Sequence, residues 1–145
     1  MDTCPVPSSP TPDELAARGN RAYAERGIDG LAATWDPDVV YEEDPLWPGS
    51  ATFRGRAAVV ARFREYEEQL GAGTATLEEV IRAADAFVVI WRHAGATSAA
   101  GVPFEHRWAW VTRVRDGQIT HIRAYFDPEE GLRAVGVTHR SPPAR

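Results

Sequence analysis

From residue 75 to 126 the chain carries no helical period. Apolar and polar residues alternate instead, and the helical signatures all precede this stretch. Helices first and then a run of strands that pair antiparallel is the pattern of an α+β domain. The strands read as 75–83, 86–95, 103–114 and 118–126, with Asp116-Gly117 as a hairpin signal between the last two. Upstream, Thr11-Pro12 with Glu14 forms a capping box that opens a helix ending at Gly27. Asp29 caps a short second helix through Leu31, Ala32 and Trp35, closed by Asp36-Pro37. Val39, Val40 and Tyr41 then begin a strand. Gly55 opens a third helix, with Val59, Val60, Phe63, Tyr66 and Leu70 on one stripe and Glu65, Glu67 and Glu68 on a solvated one. One domain over 13–136 results, with tails at 1–12 and 137–145.

The last hairpin sets which side chains share a face. A two-residue turn at Asp116-Gly117 would place Trp110 beside Arg123 and Trp108 beside Tyr125. A three-residue turn with Gly117 in a bulge pairs Trp110 with Ile122, Trp108 with Ala124 and His106 with Phe126. The second register separates apolar from polar better and is the one expected. It puts His106, Trp108 and Trp110 on one face and Glu105, Arg107, Arg113, His121, Arg123 and Asp127 on the other. On strand 86–95 the bulky odd positions Phe87, Val89, Trp91 and His93 belong to the first face.

Charge and composition exclude several classes. The chain has 145 residues and a net charge of −5, and every basic residue other than His is Arg. A nucleic-acid-binding domain would carry a basic face. No run of apolar residues is long enough to span a membrane. The N-terminus has no leader pattern, so a cytoplasmic location is expected. A lone Cys4 makes no internal disulfide and no zinc site.

Three groups of residues carry chemistry. Asp44 stands where the first strand enters a loop with Pro45, Pro48 and Gly49. A carboxylate in a partly apolar pocket shuttles protons near neutral pH, although Asp-Pro also caps turns. His93 and His106 flank the loop at 95–102. If that hairpin is symmetric about residues 99 and 100, they face each other, and two imidazoles serve as acid and base. Trp91, Trp108 and Trp110, with Trp47 and Phe53 in the loop above, either pack a core or line a cavity.

The order of helices, the Val-Val-Tyr strand, Glu43-Asp44-Pro45, the helix after Gly55, Asp116-Gly117-Gln118-Ile119 and Tyr125-Phe126-Asp127 resembles the SnoaL-like polyketide cyclases of the nuclear transport factor 2-like superfamily. The resemblance covers about residues 13–135. It implies a cone, a curved antiparallel sheet wrapped round three N-terminal helices with a central pocket, often dimeric through the outer sheet face. That face would use Glu105, Arg107, Arg113 and Arg123. The ketosteroid isomerases, whose general base is an Asp, match at Asp44. Their oxyanion Asp falls on Trp110 and their Tyr near Asn20, one turn before Tyr23, so strict ketosteroid isomerase chemistry is not expected. The Arg and two Asp of limonene epoxide hydrolases fall on Trp91, His93 and Ala124. The Tyr and Asn that hold their water fall on Tyr41 and Glu43, so only a weak hydrolase alternative survives. Scytalone dehydratases use pocket histidines.

The expectation is a cofactor-free acid–base enzyme (isomerase, cyclase or dehydratase) acting on a small hydrophobic carbonyl or hydroxyl compound. Asp44 is the expected base, His106 or His93 the proton donor, and Tyr41 and the Trp110 N–H the groups that hold the oxygen. Tyr23, Trp47, Phe53, Phe63, Trp91, Trp108 and Trp110 form the expected wall, with no metal. The alternative is a binding module for a hydrophobic metabolite or a partner.

Overall fold

Helix α1 (Pro12–Ala32) starts as its capping box dictates: the Thr11 hydroxyl accepts the Glu14 N–H at 3.1 Å. It is followed in the computed structural model by β1 (Trp35–Glu42), β2 (Thr52–Arg54), α2 (Arg56–Leu70), β3 (Thr74–Arg82), β4 (Phe87–Thr97), β5 (Pro103–Arg115), β6 (Gln118–Tyr125) and α3 (Pro128–Ala134). The structure describes residues 10–47, 49–70, 74–83, 86–97 and 103–137. Most of the expected tails and the centre of the 95–102 turn lie outside these residues. Among the described residues no helix is long and apolar enough to cross a membrane.

The strands form one open sheet in the order β2-β1-β6-β5-β4-β3. Every pairing is antiparallel except β1 with β6, which is parallel and joins Tyr41 to Ile122. A parallel pair needs a long crossover, and everything from β2 to β5 supplies it. Local alternation carries no signal for such a pairing.

The two expected N-terminal helices are the two arms of α1, which meet at a kink. Gly27 (φ 66, ψ −150) breaks the helical path inside α1, a conformation open to glycine alone. Trp35, expected in the second helix, instead begins β1. The helix closes earlier, where the Thr34 hydroxyl donates to the Leu31 carbonyl at 2.7 Å. Pro37 falls in the irregular stretch of β1 between Trp35 and Val40, where a strand tolerates a residue without an N–H. The third helix, α2, is as expected. Helix α3 was not foreseen, although Asp127-Pro128 repeats the logic of Thr11-Pro12. The Asp127 side chain accepts the Glu129 N–H at 3.0 Å.

The hairpin register differs from both alternatives. Asp116 (φ 52) and Gly117 (φ 76) make a two-residue turn, pairing Arg115 with Gln118. An irregularity after Val114↔Ile119 then inserts a residue on β6, so Trp110 pairs with Ala124 and Thr112 with Ile122. The shift from the expected register is two residues, which keeps every side chain on its expected face.

On the inner face, Phe87, Val89, Trp91 and Trp110 pack against Leu15 and Ala16 of α1. Trp35, Val39, Tyr41, Ile122 and Ala124 pack against Ile28, Leu31 and, on α2, Val59 and Phe63. On the outer face Val88, Ile90, Ala109 and Val111 are covered by Leu132 of α3. The outer charges are paired within the chain: Arg92 with Glu105 at 2.7 Å, Arg107 with Glu78 at 2.9 Å, His121 with Glu42 at 2.8 Å. Arg123 approaches Glu42 at 3.9 Å and lies over the Tyr125 ring. As exposed pairs they contribute little to stability.

Candidate functional site

A cavity of about 120 Å³ opens between the inner sheet face and the two long helices. Each wall follows from strand alternation or helical period. β1 contributes Tyr41, and the loop after it Glu43, Asp44 and Trp47. β4 contributes Trp91 and His93, β5 Trp108 and Trp110, β6 Ala124. α1 contributes Tyr23 and Leu31, and α2 Phe63, Tyr66 and Glu67.

His93 and His106 are register partners across β4 and β5, and Trp91 is the partner of Trp108, as expected, although an irregularity separates them from the pairs nearer the turn, Ala96 with Phe104 and Thr97 with Pro103. Only His93 lines the cavity. His106 is not among the lining residues; its ring lies against Trp108 and Phe126 and its Nε2 is 2.9 Å from the Phe126 carbonyl. A carbonyl only accepts, so Nε2 carries the proton. Phe53 also lies outside. It is on the edge strand β2, beyond β1, under the Arg62 guanidinium at 5.4 Å.

Asp44 is 5 % exposed and borders the cavity. Its Oδ1 accepts the Leu46 N–H and its Oδ2 the Phe126 N–H, both at 2.9 Å. The turn-capping reading therefore holds, and the capping carboxylate also borders the cavity. Each oxygen keeps one further acceptor position.

Glu43, 7 % exposed, is held more tightly. It accepts Arg62 Nε at 2.9 Å, Arg62 Nη2 at 3.1 Å, the Ala51 N–H at 3.1 Å and the Tyr66 hydroxyl. The Tyr66 and Tyr41 oxygens are 3.4 Å apart. Tyr66 has one proton and gives it to the carboxylate, so the Tyr41 hydroxyl is left to donate to Tyr66 or into the cavity. Burial pushes the Tyr41 phenol well above its ordinary value, and the Glu43 charge adds to this while Arg62 opposes it. Tyr41 is thus a neutral donor with a chain of Tyr66, Glu43 and Arg62 behind it.

Tyr23 donates to Glu67 Oε1 at 3.4 Å, and burial, then Glu67, raises its pKa. Glu67 is no part of a solvated stripe, while Glu65 next to it is exposed and pairs with Arg62. Arg62, Tyr66 and Glu67 were not singled out as site residues. The signal available was the helical stripe, which carries Tyr66 but gives no sign that α2 crosses the end of β1.

The rings stand mostly at steep angles. Trp91 meets Trp110 at 62°, Trp47 meets Trp108 at 59° and Tyr66 at 79°. The Trp91 indole N–H is buried without an acceptor among the described residues. No cluster of three metal-ligating side chains occurs among those residues.

Solved structures share this architecture. A nuclear transport factor 2-like protein from Burkholderia thailandensis superposes with a TM-score of 0.71 at 25 % identity, over 90 % of this chain and 99 % of its own. A protein of ketosteroid isomerase-like fold from Catenulispora acidiphila, solved in complex with trimethylamine, gives 0.67 at 19 % identity, over 91 % and 100 %. In sequence, the uncharacterized protein YesE of Bacillus subtilis is 28 % identical over 107 residues, 72 % of this chain and 73 % of its own. The model of the SnoaL-like domain matches residues 16–122, from the first turns of α1 to the middle of β6. With the open sheet and helix-covered cavity just described, that match places the chain in the SnoaL-like domain family.

Proposed function

We propose that the cavity is the active site of a cofactor-free enzyme that moves a proton on a small carbonyl or hydroxyl compound, in the manner of an isomerase, cyclase or dehydratase. The observation that carries this reading is the Tyr41 phenol: buried, neutral and backed by Tyr66 and Glu43. Such a donor stabilises an oxyanion where water is excluded. Asp44 takes a C–H proton next to the carbonyl. The electron pair moves into a C=C bond, and the negative oxygen is held by the Tyr41 hydroxyl. Asp44 returns the proton to a different carbon, or His93 protonates the departing hydroxyl, which leaves as water, and His93 then regains a proton as Asp44 loses its own through solvent; His106 is paired with His93 across the strands. The unpartnered Trp91 N–H supports a ligand that brings an acceptor.

The test is turnover on a panel of small ketones and hydroxyketones. Loss of the Tyr41 hydroxyl in Tyr41→Phe lowers kcat by roughly 100-fold or more with a small change in KM. Equal turnover by wild type and variant removes Tyr41 from the mechanism.

A second reading, binding without catalysis, is favoured by one observation: both Asp44 oxygens already hold backbone N–H groups. The trimethylamine complex of the Catenulispora acidiphila protein supports small ligands in this fold under either reading. Pairing of two copies through the outer sheet face, with Glu105, Arg107, Arg113 and Arg123, is proposed on family membership, and sedimentation of the purified chain tests it.

A further inference from the structure

We propose that the ligand of this cavity carries a small alkylated ammonium group, boxed by the tryptophans and balanced by Asp44 and Glu67. The proposal rests on the reading of the cavity as the ligand site and not on the proton-transfer step.

Charge selects the sign. The chain has 16 basic residues besides His, all Arg, yet no Arg is among the residues that line the cavity. Three carboxylates line it, Glu43, Asp44 and Glu67, against one imidazole, His93. The charge of Glu43 is met by Arg62. Asp44 is bonded only to backbone N–H groups, and Glu67 to the neutral Tyr23 phenol. Among the described residues, no cationic side chain is paired with either. A carboxylate beside apolar walls is costly until a counter-charge arrives. A cationic ligand supplies one, and an anionic ligand would add to the repulsion.

The walls select the shape and type of that cation. Indole and phenol faces carry negative potential and attract ammonium groups, Trp most strongly. A flat neutral ring would want parallel walls. Here Trp91 and Trp110 stand at 62° and Trp47 and Trp108 at 59°, so the walls meet as in a box. A box suits a rounded group such as trimethylammonium. The cavity of about 120 Å³ is of the order of the roughly 150 Å³ cavity that accepts benzene, so the enclosed group is small.

The experiment titrates the full chain with choline, with its neutral carbon isostere dimethylbutanol, and with the anion pivalate, following tryptophan fluorescence and heat. Choline binds at least about tenfold more tightly than dimethylbutanol, and pivalate binds least. Glu67→Gln and Trp108→Leu each weaken choline severalfold, and Glu67→Gln weakens choline more than it weakens dimethylbutanol. If dimethylbutanol binds as well as choline, the cation proposal is overturned while the cavity stands as a ligand site. If none of the three binds at millimolar concentration, the proposal is overturned together with the cavity as the site for ligands of this size.

Discussion

The Asp44 carboxylate holds the backbone N–H of Phe126 at 2.9 Å, across 82 residues of chain. Phe126 is gripped from its other side as well, where its carbonyl meets His106 Nε2 at 2.9 Å. The loop over the cavity, the end of β6 and the β5 histidine are thereby tied at one residue. Asp44→Ala leaves the part-buried Leu46 and Phe126 N–H groups without their acceptor and is expected to destabilise the fold by roughly 1–3 kcal/mol in all. Asp44→Asn retains one acceptor oxygen and costs less. Urea unfolding measures both. A loss of kcat in Asp44→Asn far beyond its loss of stability is the outcome expected of a base.

The Glu43–Arg62 pair is buried at Glu43 and half-buried at Arg62. Removing one partner strands a charge, so Arg62→Met is expected to cost roughly 3–5 kcal/mol. Adding Glu43→Gln to Arg62→Met recovers much of that loss. A double-mutant cycle in urea checks the coupling.

Tyr41 and Tyr23 make the fold sensitive to alkali. Unfolded, both phenols ionise near the ordinary value of 10.0; folded, both hold their protons higher. The unfolded state therefore releases protons first. Stability is fully present below about pH 10 and falls as pH rises above it. In Tyr41→Phe that fall is shallower, as urea midpoints across a series of alkaline pH values would show.

Gly30 tests the kink in α1. A Cβ there would stand 2.3 Å from the Ala22 carbonyl oxygen, which belongs to backbone and cannot swing away. Gly30→Ala is expected to cost roughly 1–3 kcal/mol, against the usual gain from Ala in a helix. Thermal unfolding gives the sign directly.

Where the chemistry was local, the residues could be read in advance. Alternation placed Trp91, His93, Trp108 and Trp110 on one face, and an assumed symmetric hairpin between β4 and β5 gave the pairing of His93 with His106 that the structure has. Asp44 stood out because a carboxylate followed by Pro ends a strand. Long-range contacts left no such mark. Glu43 meets Arg62 and Tyr66 only because α2 crosses the end of β1. The parallel pairing of β1 with β6 is likewise silent in local pattern. The same gap displaced Phe53: a loop residue by sequence, it is an edge-strand residue outside the cavity in the fold. Helix α3 is a different case, because its Asp-Pro start was visible and its apolar partners on the outer face were not.

Proton exchange is the most direct measurement of the central claim, because it reads C–H deprotonation without knowledge of the full reaction. Small ketones are incubated with the protein in deuterated water, and loss of the proton beside the carbonyl is followed by NMR. The account predicts exchange well above buffer with wild type and roughly 100-fold or more slower exchange with Asp44→Asn and with Tyr41→Phe. Exchange that persists unchanged in both variants, or that never exceeds buffer with any ketone the cavity binds, would contradict it.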